Sequence, residues 1–519
     1  MKKREALLLA AYIVMIAIVA TYHEMWRDEV RAFSVAITSP SWSAMMSNLH
    51  GEGHPALWYV ILRIGYALTH SNLVLPVTAA LIGVATAALI LWYAPFPLLV
   101  RALAVFGAFI GYELTINARN YGIGVLLIVV ACIAYRYRAN RPWLLGISLA
   151  LLANTSVHAA LAASLILAYW IFDTLRSRDG RSPWTIAAIG SVALVIAGII
   201  VAIVTSRPNP EMAFAMGLQN LDAMKILRTI FTDPGKALLG FNDANVAATG
   251  EYPWRMTPIS PQLGSRILVD AALLWLAFHM RRSVRALAFI VVAIIAFEIV
   301  FRNVYTAGLR HEGLLLFLIF GFCWMDAESR PTELRAVTSR RLATGLLPLF
   351  VMQSLALPIL VHRAVRYPQS VSKNYGSFLR SHREFNNAIL AAEPDFLMEA
   401  MPYYVGNRIY MPRQREFSRV VLFDKGARRQ KILTLSELAA RMDSVACAER
   451  APVLLAMGKP AASTREGEAP VPYDALFRWT KDEMRALRER YPVVANFPRA
   501  TTDEIYRVYL VNPECSGKS

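Results

Sequence analysis

Apolar residues in this chain are gathered into long runs, at 6–20, 73–93, 98–113, 120–135, 143–173, 185–205, 266–280, 286–301, 311–325 and 341–361. So many runs of that length cannot all be hidden in one water-soluble core, and they point to a chain that uses the bilayer as its solvent. Composition agrees: 56% of residues are apolar and 18% charged, where soluble domains have about 45–50% and about 25%. A wholly soluble, disordered or nucleic-acid-binding protein is disfavoured, even though the formal net charge is +17. The chain opens on Lys2-Lys3-Arg4 ahead of an apolar run. Secretory leaders begin this way, but no clean A-x-A cleavage site follows, so a retained first helix is expected.

The basic residues orient the runs, because Lys and Arg collect in short cytoplasmic loops. The 143–173 run lies between Arg136, Arg138 and Arg141 on one side and Arg176, Arg178 and Arg181 on the other. Both clusters belong on the same face, so the run is expected to cross twice, turning near Asn154-Thr155. Segment 55–70 is apolar enough to span, but counting it would turn the basic loops 136–141, 176–181, 281–285 and 326–341 outward. It is read instead as an interfacial helix on the outer face, with Arg63 and its tyrosines at headgroup level. About eleven crossings result, with the N-terminus cytoplasmic and the C-terminus outside. The N-terminus, Arg101 and those four loops then hold 17 of the 54 Lys and Arg.

The expected architecture is therefore an α-helical polytopic membrane protein with a small C-terminal α/β extracytoplasmic domain. Residues 1–362 form the transmembrane module, with long outer loops at 23–72 and 206–265, and residues 363–519 form the soluble domain. Short β-rich runs there (Val420–Phe423, Val453–Ala456, Arg507–Val511) alternate with helical patterns at 433–446 and 480–490. The four cysteines make neither a disulfide scaffold nor a metal framework. Cys447 and Cys515, both in the soluble part, can pair if that part faces an oxidising compartment.

Polar residues at the outer ends of the helices carry the functional signal. Trp26-Arg27-Asp28-Glu29 follows the first helix, and adjacent carboxylates at a membrane boundary are costly unless they have partners or a task. Read alone, the pair is a solvated turn. Gly53-His54-Pro55-Ala56-Leu57 opens the interfacial helix, which read alone is a proline near a helix start. Glu113, Arg119, Asn120 and Tyr121 form a third cluster, in which Glu113 and Arg119 could be a plain ion pair and Arg119 could snorkel to headgroups. Arg302, Tyr305, Arg310 and His311 form a fourth, on the side where positive charge is scarce. His158, at the outer turn of the double crossing, reads as a structural histidine.

In that order, an Asp-Glu after the first helix, a His-Pro-x-Leu helix and Ala118-Arg119-Asn120-Tyr121 heading a later helix, the chain resembles the membrane-embedded GT-C glycosyltransferases. The likeness is to the protein mannosyltransferase and aminoarabinose transferase branch. It covers roughly residues 1–325 through short spaced motifs, and His54-Pro55-Ala56-Leu57 departs from the family's usual His-Pro-Pro-Leu. It implies transfer of a sugar from a polyprenyl-phosphate donor, drawn from the membrane lipid, to an envelope glycan, lipid or protein acceptor on the outer face of a bacterial inner membrane. Asp28 becomes the candidate general base, within reach of an acceptor hydroxyl, and Glu29 a neighbouring acceptor or structural contact. Arg119 and Arg310, with Arg302 third, are candidates to stabilise charge on the phosphate, and His54, Glu113 and Tyr121 complete the substrate site.

No cofactor is implied. His54, Glu29 and Glu113 could assemble a divalent-metal site, but no metal ligand set is assigned. The donor's isoprenoid tail needs an apolar groove, expected beside the short helices of the 143–173 pair. Two other readings stand beside this one: a transporter or flippase of a lipid-linked or amphipathic substrate, which would carry charge near the midplane on repeated, broken helices, and a non-catalytic relative whose outer domain binds polysaccharide or a partner protein.

Overall fold

A computed structural model describes residues 3–50, 52–176, 185–207, 224, 261–303, 309–421, 430–458, 466–471, 475–513 and 515, with only the backbone of 261–266 and 302–303. Its first part is helical: α1 (Lys3–Tyr22), α2 (Arg27–Thr38), α3 (Trp42–Asn48), α4 (Leu57–Thr69), α5 (Val74–Tyr93), α6 (Leu98–Val105), α7 (Tyr121–Tyr135), α8 (Pro142–Ala153), α9 (Val157–Arg176), α10 (Ile186–Ser206), α11 (Pro261–Met280), α12 (Val284–Asn303), α13 (Leu309–Glu328) and α14 (Thr332–Arg366). Among the described residues, α1, α5, α9, α10, the Val284–Phe301 part of α12 and α14 are long and apolar enough to cross a membrane unaided. Helices α7 and α8 and the Ile267–Met280 part of α11 are apolar but shorter. Short spans are stable only where neighbours satisfy and cover them.

Helix α13 shows how. Residues 311–327 are all buried, and the helix packs against α7, α9, α12 and α14 as the central post of the bundle. A helix apolar all round its middle belongs inside other helices. The break expected within the 143–173 run is present: α8 stops at Ala153, α9 starts at Val157, and Asn154 and Thr155 make the turn.

Helix α10 lies directly on α8, so close that a Cβ on Gly146 would sit 2.8 Å from the Ser191 Cβ, and one on Gly198 2.9 Å from the Ala150 Cα. Small residues permit this approach, and α9 is a full 20 residues long.

The first outer loop is a folded layer with its own core, built from α2, α3 and α4 around Phe33, Trp58, Tyr59 and Leu62. The expectation for Arg63 and the tyrosines needs correction. Tyr59 is buried, and the Arg63 guanidinium donates at 2.9 Å to the carbonyls of Ala36 and Ser39. The last carbonyls of α2 lack helical partners, and a guanidinium beside them is better used there than at headgroups. The second long outer loop falls almost wholly outside the described residues.

At the other end of the bundle the basic loops knit the helices together. Asp173 at the end of α9 accepts from Tyr135 at 2.5 Å, from Arg138 at 2.9 Å and from Arg285. Asp326 near the end of α13 accepts from Ser283 at 2.6 Å and Arg330 at 3.1 Å, while Arg341 reaches Ser283 at 2.9 Å. Arg101 pairs with Glu5 at 3.3 Å, tying α6 to the start of α1.

Helix α14 runs on to Arg366, so the soluble domain begins just after it with α15 (Ser372–Ser381). Among the described residues nine strands follow: β1 (Ile389–Glu393), β2 (Ile409–Met411), β3 (Glu416–Phe417), β4 (Ile432–Thr434), β5 (Val453–Met457), β6 (Gly467–Val471), β7 (Ala475–Trp479), β8 (Val493–Phe497) and β9 (Tyr506–Val511). They form a mixed sheet ordered β3-β2-β1-β5-β9-β8 and a small sheet ordered β4-β7-β6. Helices α16 (Leu435–Glu449) and α17 (Lys481–Arg490) each start on a capping box, Thr434 with Glu437 and Thr480 with Glu483, which is why they begin where they do. Cys447 and Cys515 are joined in a disulfide. The strand expected at Val420–Phe423 is absent as far as it is described: the Val421 N–H donates to Glu399 and its carbonyl accepts from Arg31, so neither is left for a ladder. Residues 422 and 423 lie outside the described residues.

Candidate active site

The site is assembled at the bundle end where α1 finishes and α7, α9 and α13 begin. Glu29 organises it. Its carboxylate turns back to accept the Trp26 N–H at 3.1 Å, closing the first turn of α2, and both oxygens lie 3.0 Å from His23 Nε2. Burial pulls the His23 pKa down, but Glu29 outweighs it, and the net shift is upward, towards the imidazolium. Glu29 also accepts the Ala118 N–H at 2.5 Å. That bond ties α2 to the irregular stretch between the π-turn Phe109–Glu113 and α7, and Tyr12 anchors both from α1, its hydroxyl 2.9 Å from the Ile110 carbonyl and 3.0 Å from the Thr115 hydroxyl. With no side-chain surface exposed and both oxygens engaged, Glu29 is a structural contact in this arrangement.

Asp28, one residue earlier, points the other way, with 24% of its side chain exposed. Its Oδ2 is 2.6 Å from Arg119 Nη1 and 3.2 Å from Arg310 Nη2, and its Oδ1 is 3.7 Å from Arg27 Nε. Burial would raise the Asp28 pKa, but Arg119, Arg310 and Arg27 together hold it well below the usual carboxylate range. Arg27 is itself engaged elsewhere: Nη1 is 2.6 Å from Asp503, the backbone N–H donates to Glu504 at 2.8 Å, and the guanidinium lies 4.5 Å over the Phe396 ring.

His54 sits beside the arginines, its Nε2 3.5 Å from Arg119 Nη2 and its Nδ1 3.3 Å from Asn120 Nδ2. The turn that delivers it uses Gly53 at φ +69°, a left-handed conformation that glycine adopts without strain. Burial, then the Arg119 and Arg310 charges, hold the His54 pKa well below the histidine range, so the ring is neutral. Behind it Tyr121 shares a 2.8 Å hydrogen bond with His311, whose ring is 4.6 Å from that of His158.

The structure thus brings together Asp28, Arg119, Arg310, His54 and Tyr121 from α2, the 114–120 stretch, α13, the 52–56 turn and α7. Glu113 does not pair with Arg119; its carboxylate accepts from Asn117 at 2.8 Å, because Arg119 is taken by Asp28. The Arg302 side chain and Tyr305 lie outside the described residues. Glu29, His54 and Glu113 do not converge as metal ligands, each being turned to a different partner. Among the described residues no group of three or more His, Cys, Asp or Glu could hold a metal ion.

Three participants were missed from sequence. Arg27 adjoins Asp28 and was in plain view. Asp503 and Glu504 lie more than 470 residues away in a loop before β9, and no local pattern marks them.

No family model and no curated protein matches this chain. Among solved structures it is similar to the crystal structure of ArnT from Cupriavidus metallidurans in the apo state, at 12% identity over 99% of each chain, with a TM-score of 0.49. It is also similar to the same protein bound to undecaprenyl phosphate, at 12% identity over 99% of each chain and a TM-score of 0.41. At so low an identity, the activity of this chain has to be read from its own residues.

Proposed function

We propose that this chain is an integral membrane glycosyltransferase that moves a sugar from a polyprenyl-phosphate donor to a hydroxyl of an envelope glycan, lipid or protein, with Asp28 as general base. The observation that carries the reading is a half-open carboxylate whose one oxygen is shared by two guanidiniums, 2.6 and 3.2 Å away, at the bundle end beneath the soluble domain. Asp28 takes the proton of the acceptor hydroxyl as its oxygen attacks the anomeric carbon. The bond from that carbon to the phosphate oxygen breaks, and the electron pair leaves with the lipid phosphate. In-line attack inverts the anomeric centre. No general acid is needed, because a phosphate is already a good leaving group, and charge-assisted bonds from Arg119 and Arg310 stabilise it.

The same arginines that receive the phosphate hold Asp28 when the site is empty. A carboxylate pinned between them is ionised but weakly basic. Donor phosphate drawn onto Arg119 and Arg310 loosens that grip and restores the basicity that proton abstraction requires. Neutral His54 and the Tyr121–His311 pair line the pocket without adding charge.

The membrane is the bacterial inner membrane, crossed about eleven times, with the N-terminus cytoplasmic and the soluble domain extracytoplasmic. Two facts support that orientation: the short basic loops gather at the bundle end opposite the site, and Cys447 is bridged to Cys515, as suits an oxidising compartment.

The test is transfer from labelled polyprenyl-phosphate sugars in membranes containing the wild-type chain or Asp28→Asn at equal expression. Transfer by the wild type and none by the variant is the expected result. Undiminished transfer by Asp28→Asn rejects the base, and no transfer from any donor by the wild type rejects the activity.

A further inference from the structure

The soluble domain holds the first turn of α2 through Glu504 and Asp503, and both bear on Asp28. Glu504 is buried, and one of its oxygens accepts the N–H of Arg27, the first residue of α2, at 2.8 Å. That N–H has no partner within the helix, and a carboxyl oxygen placed at the helix N-terminus satisfies it. The other Glu504 oxygen is held by the hydroxyl of Ser370 and lies 3.4 Å from that of Ser372. The loop is clamped in turn: Thr501 and Thr502 donate their N–H groups to the carbonyls of Pro368 and Gln369 at 2.9 and 3.2 Å, in the chain that leaves α14. Glu504 is thus braced from behind while it caps the helix that carries Asp28.

Asp503 does the second job. It holds Arg27 Nη1 at 2.6 Å, while Arg27 Nε is 3.7 Å from Asp28. The Arg27 guanidinium has two carboxylates to choose between, and Asp503 has the closer contact. Without Asp503 the guanidinium is free to turn fully onto Asp28, which Arg119 and Arg310 already engage. A third strong ion pair there leaves the carboxylate less basic and less free to meet an acceptor hydroxyl.

We propose that Asp503 and Glu504 are positioning residues of the transfer site, Glu504 fixing the first turn of α2 and Asp503 holding Arg27 off Asp28, so that the soluble domain is a working part of the active site. This rests on the reading of Asp28 as the base.

The test uses the full-length chain in nanodiscs and whichever labelled polyprenyl-phosphate sugar the wild type transfers. Asp503→Ala lowers kcat on the order of tenfold, as a misplaced reacting group does, and leaves the donor KM within about twofold, because Arg119 and Arg310 are untouched. Adding Arg27→Gln to Asp503→Ala restores most of the lost kcat, which a merely structural Asp503 would not allow. Glu504→Ala lowers kcat and speeds hydrogen exchange at the backbone amides of residues 27–30, whereas Glu504→Gln, still able to accept the Arg27 N–H, stays close to wild type in both.

The inference is overturned if Asp503→Ala and Glu504→Ala keep full kcat while Asp28→Asn is inactive, or if the double variant is worse than Asp503→Ala alone. Should Asp28→Asn transfer normally, it is the base assignment that fails. The exchange measurement still decides the latch then, because unchanged protection in Glu504→Ala removes it.

Discussion

Each end of the helical bundle carries an aspartate ringed by arginines, yet only one of the two looks built for chemistry. Asp173 at the basic end meets Arg138, Arg285 and Tyr135, and its side chain is 11% exposed. Asp28 at the other end meets Arg119, Arg310 and Arg27 and is 24% exposed. The ligand sets are nearly alike; the surroundings are not. Asp173 sits where regular helices end and tethers them to one another, its neighbours supplied by the end of α7, the turn after it and the start of α12. Asp28 sits where the backbone is irregular, between a π-turn, a glycine turn and the start of α13, with a folded domain docked beside it. Non-helical backbone at a membrane protein's end is tolerated where protein or a cavity satisfies it, and such places host substrates. An ion-pair cluster alone therefore says little; the openness of the carboxylate and the convergence of separate loops distinguish a site from a latch.

The largest effect that tests this contrast is Asp28→Asn, which should lower transfer by about 10²–10⁴-fold, the usual worth of a general base. Its affinity for a polyprenyl phosphate should rise, because the neutral amide no longer competes for Arg119 and Arg310, as measured by titrating undecaprenyl phosphate against intrinsic tryptophan fluorescence. Next come Arg119→Lys and Arg310→Lys. Each keeps the charge but loses the planar fork, and each should weaken that phosphate titration about tenfold.

A third effect is on stability and concerns the docked domain. Burial pushes both Glu504 and Glu399 up to about 7, Glu399 despite its 2.5 Å pair with Arg31. A carboxyl raised above its unfolded value of 4.5 binds more protons in the native state between the two values. Stability from this source is full below about pH 4.5 and is lost as pH rises through about 7. Thermal unfolding of the detergent-solubilised chain from pH 5 to pH 8 should show the decline, and Glu504→Gln should flatten it.

The smallest effect on transfer is expected from Asp173→Asn. Transfer per folded molecule should stay within about twofold, while stability falls by about 1–3 kcal/mol as charged hydrogen bonds are lost. A large loss of transfer there, with stability intact, would erase the distinction between the two ends.

Much of the helical frame was legible because a bilayer imposes lengths and charge signs that can be read residue by residue. The split of the 143–173 run into two helices followed from arginines on both flanks, and the break at Asn154-Thr155 falls where the turn was expected. Segment 55–70 forms the 13-residue helix α4, packed in the layer around Phe33 and Trp58. Its Arg63 was misread because the free carbonyls at the end of α2 become its partners only after folding. The close packing of α10 on α8 was hidden for a like reason: glycines at 146 and 198 admit it, and nothing local to either glycine names its partner.

At the candidate site, residue identity was readable and pairing was not. Asp28, His54, Arg119, Tyr121 and Arg310 stood out as polar groups at helix ends on the side where charge is scarce. That Arg119 chooses Asp28 over Glu113, that Glu29 turns inward to the Ala118 amide, and that Glu504 caps α2 are outcomes of long-range packing.

Sequence alone determined that the chain lives in a membrane, roughly where its helices run, which end is basic, and which polar residues sit at the other, since hydrophobic length and charge sign are local quantities. Tertiary structure alone decided which of two adjacent carboxylates is open and which is locked, and that the last domain reaches back to the first turn after α1. Hydrogen-bond partners more than 470 residues apart are chosen by the three-dimensional path of the chain, and no local pattern encodes that path.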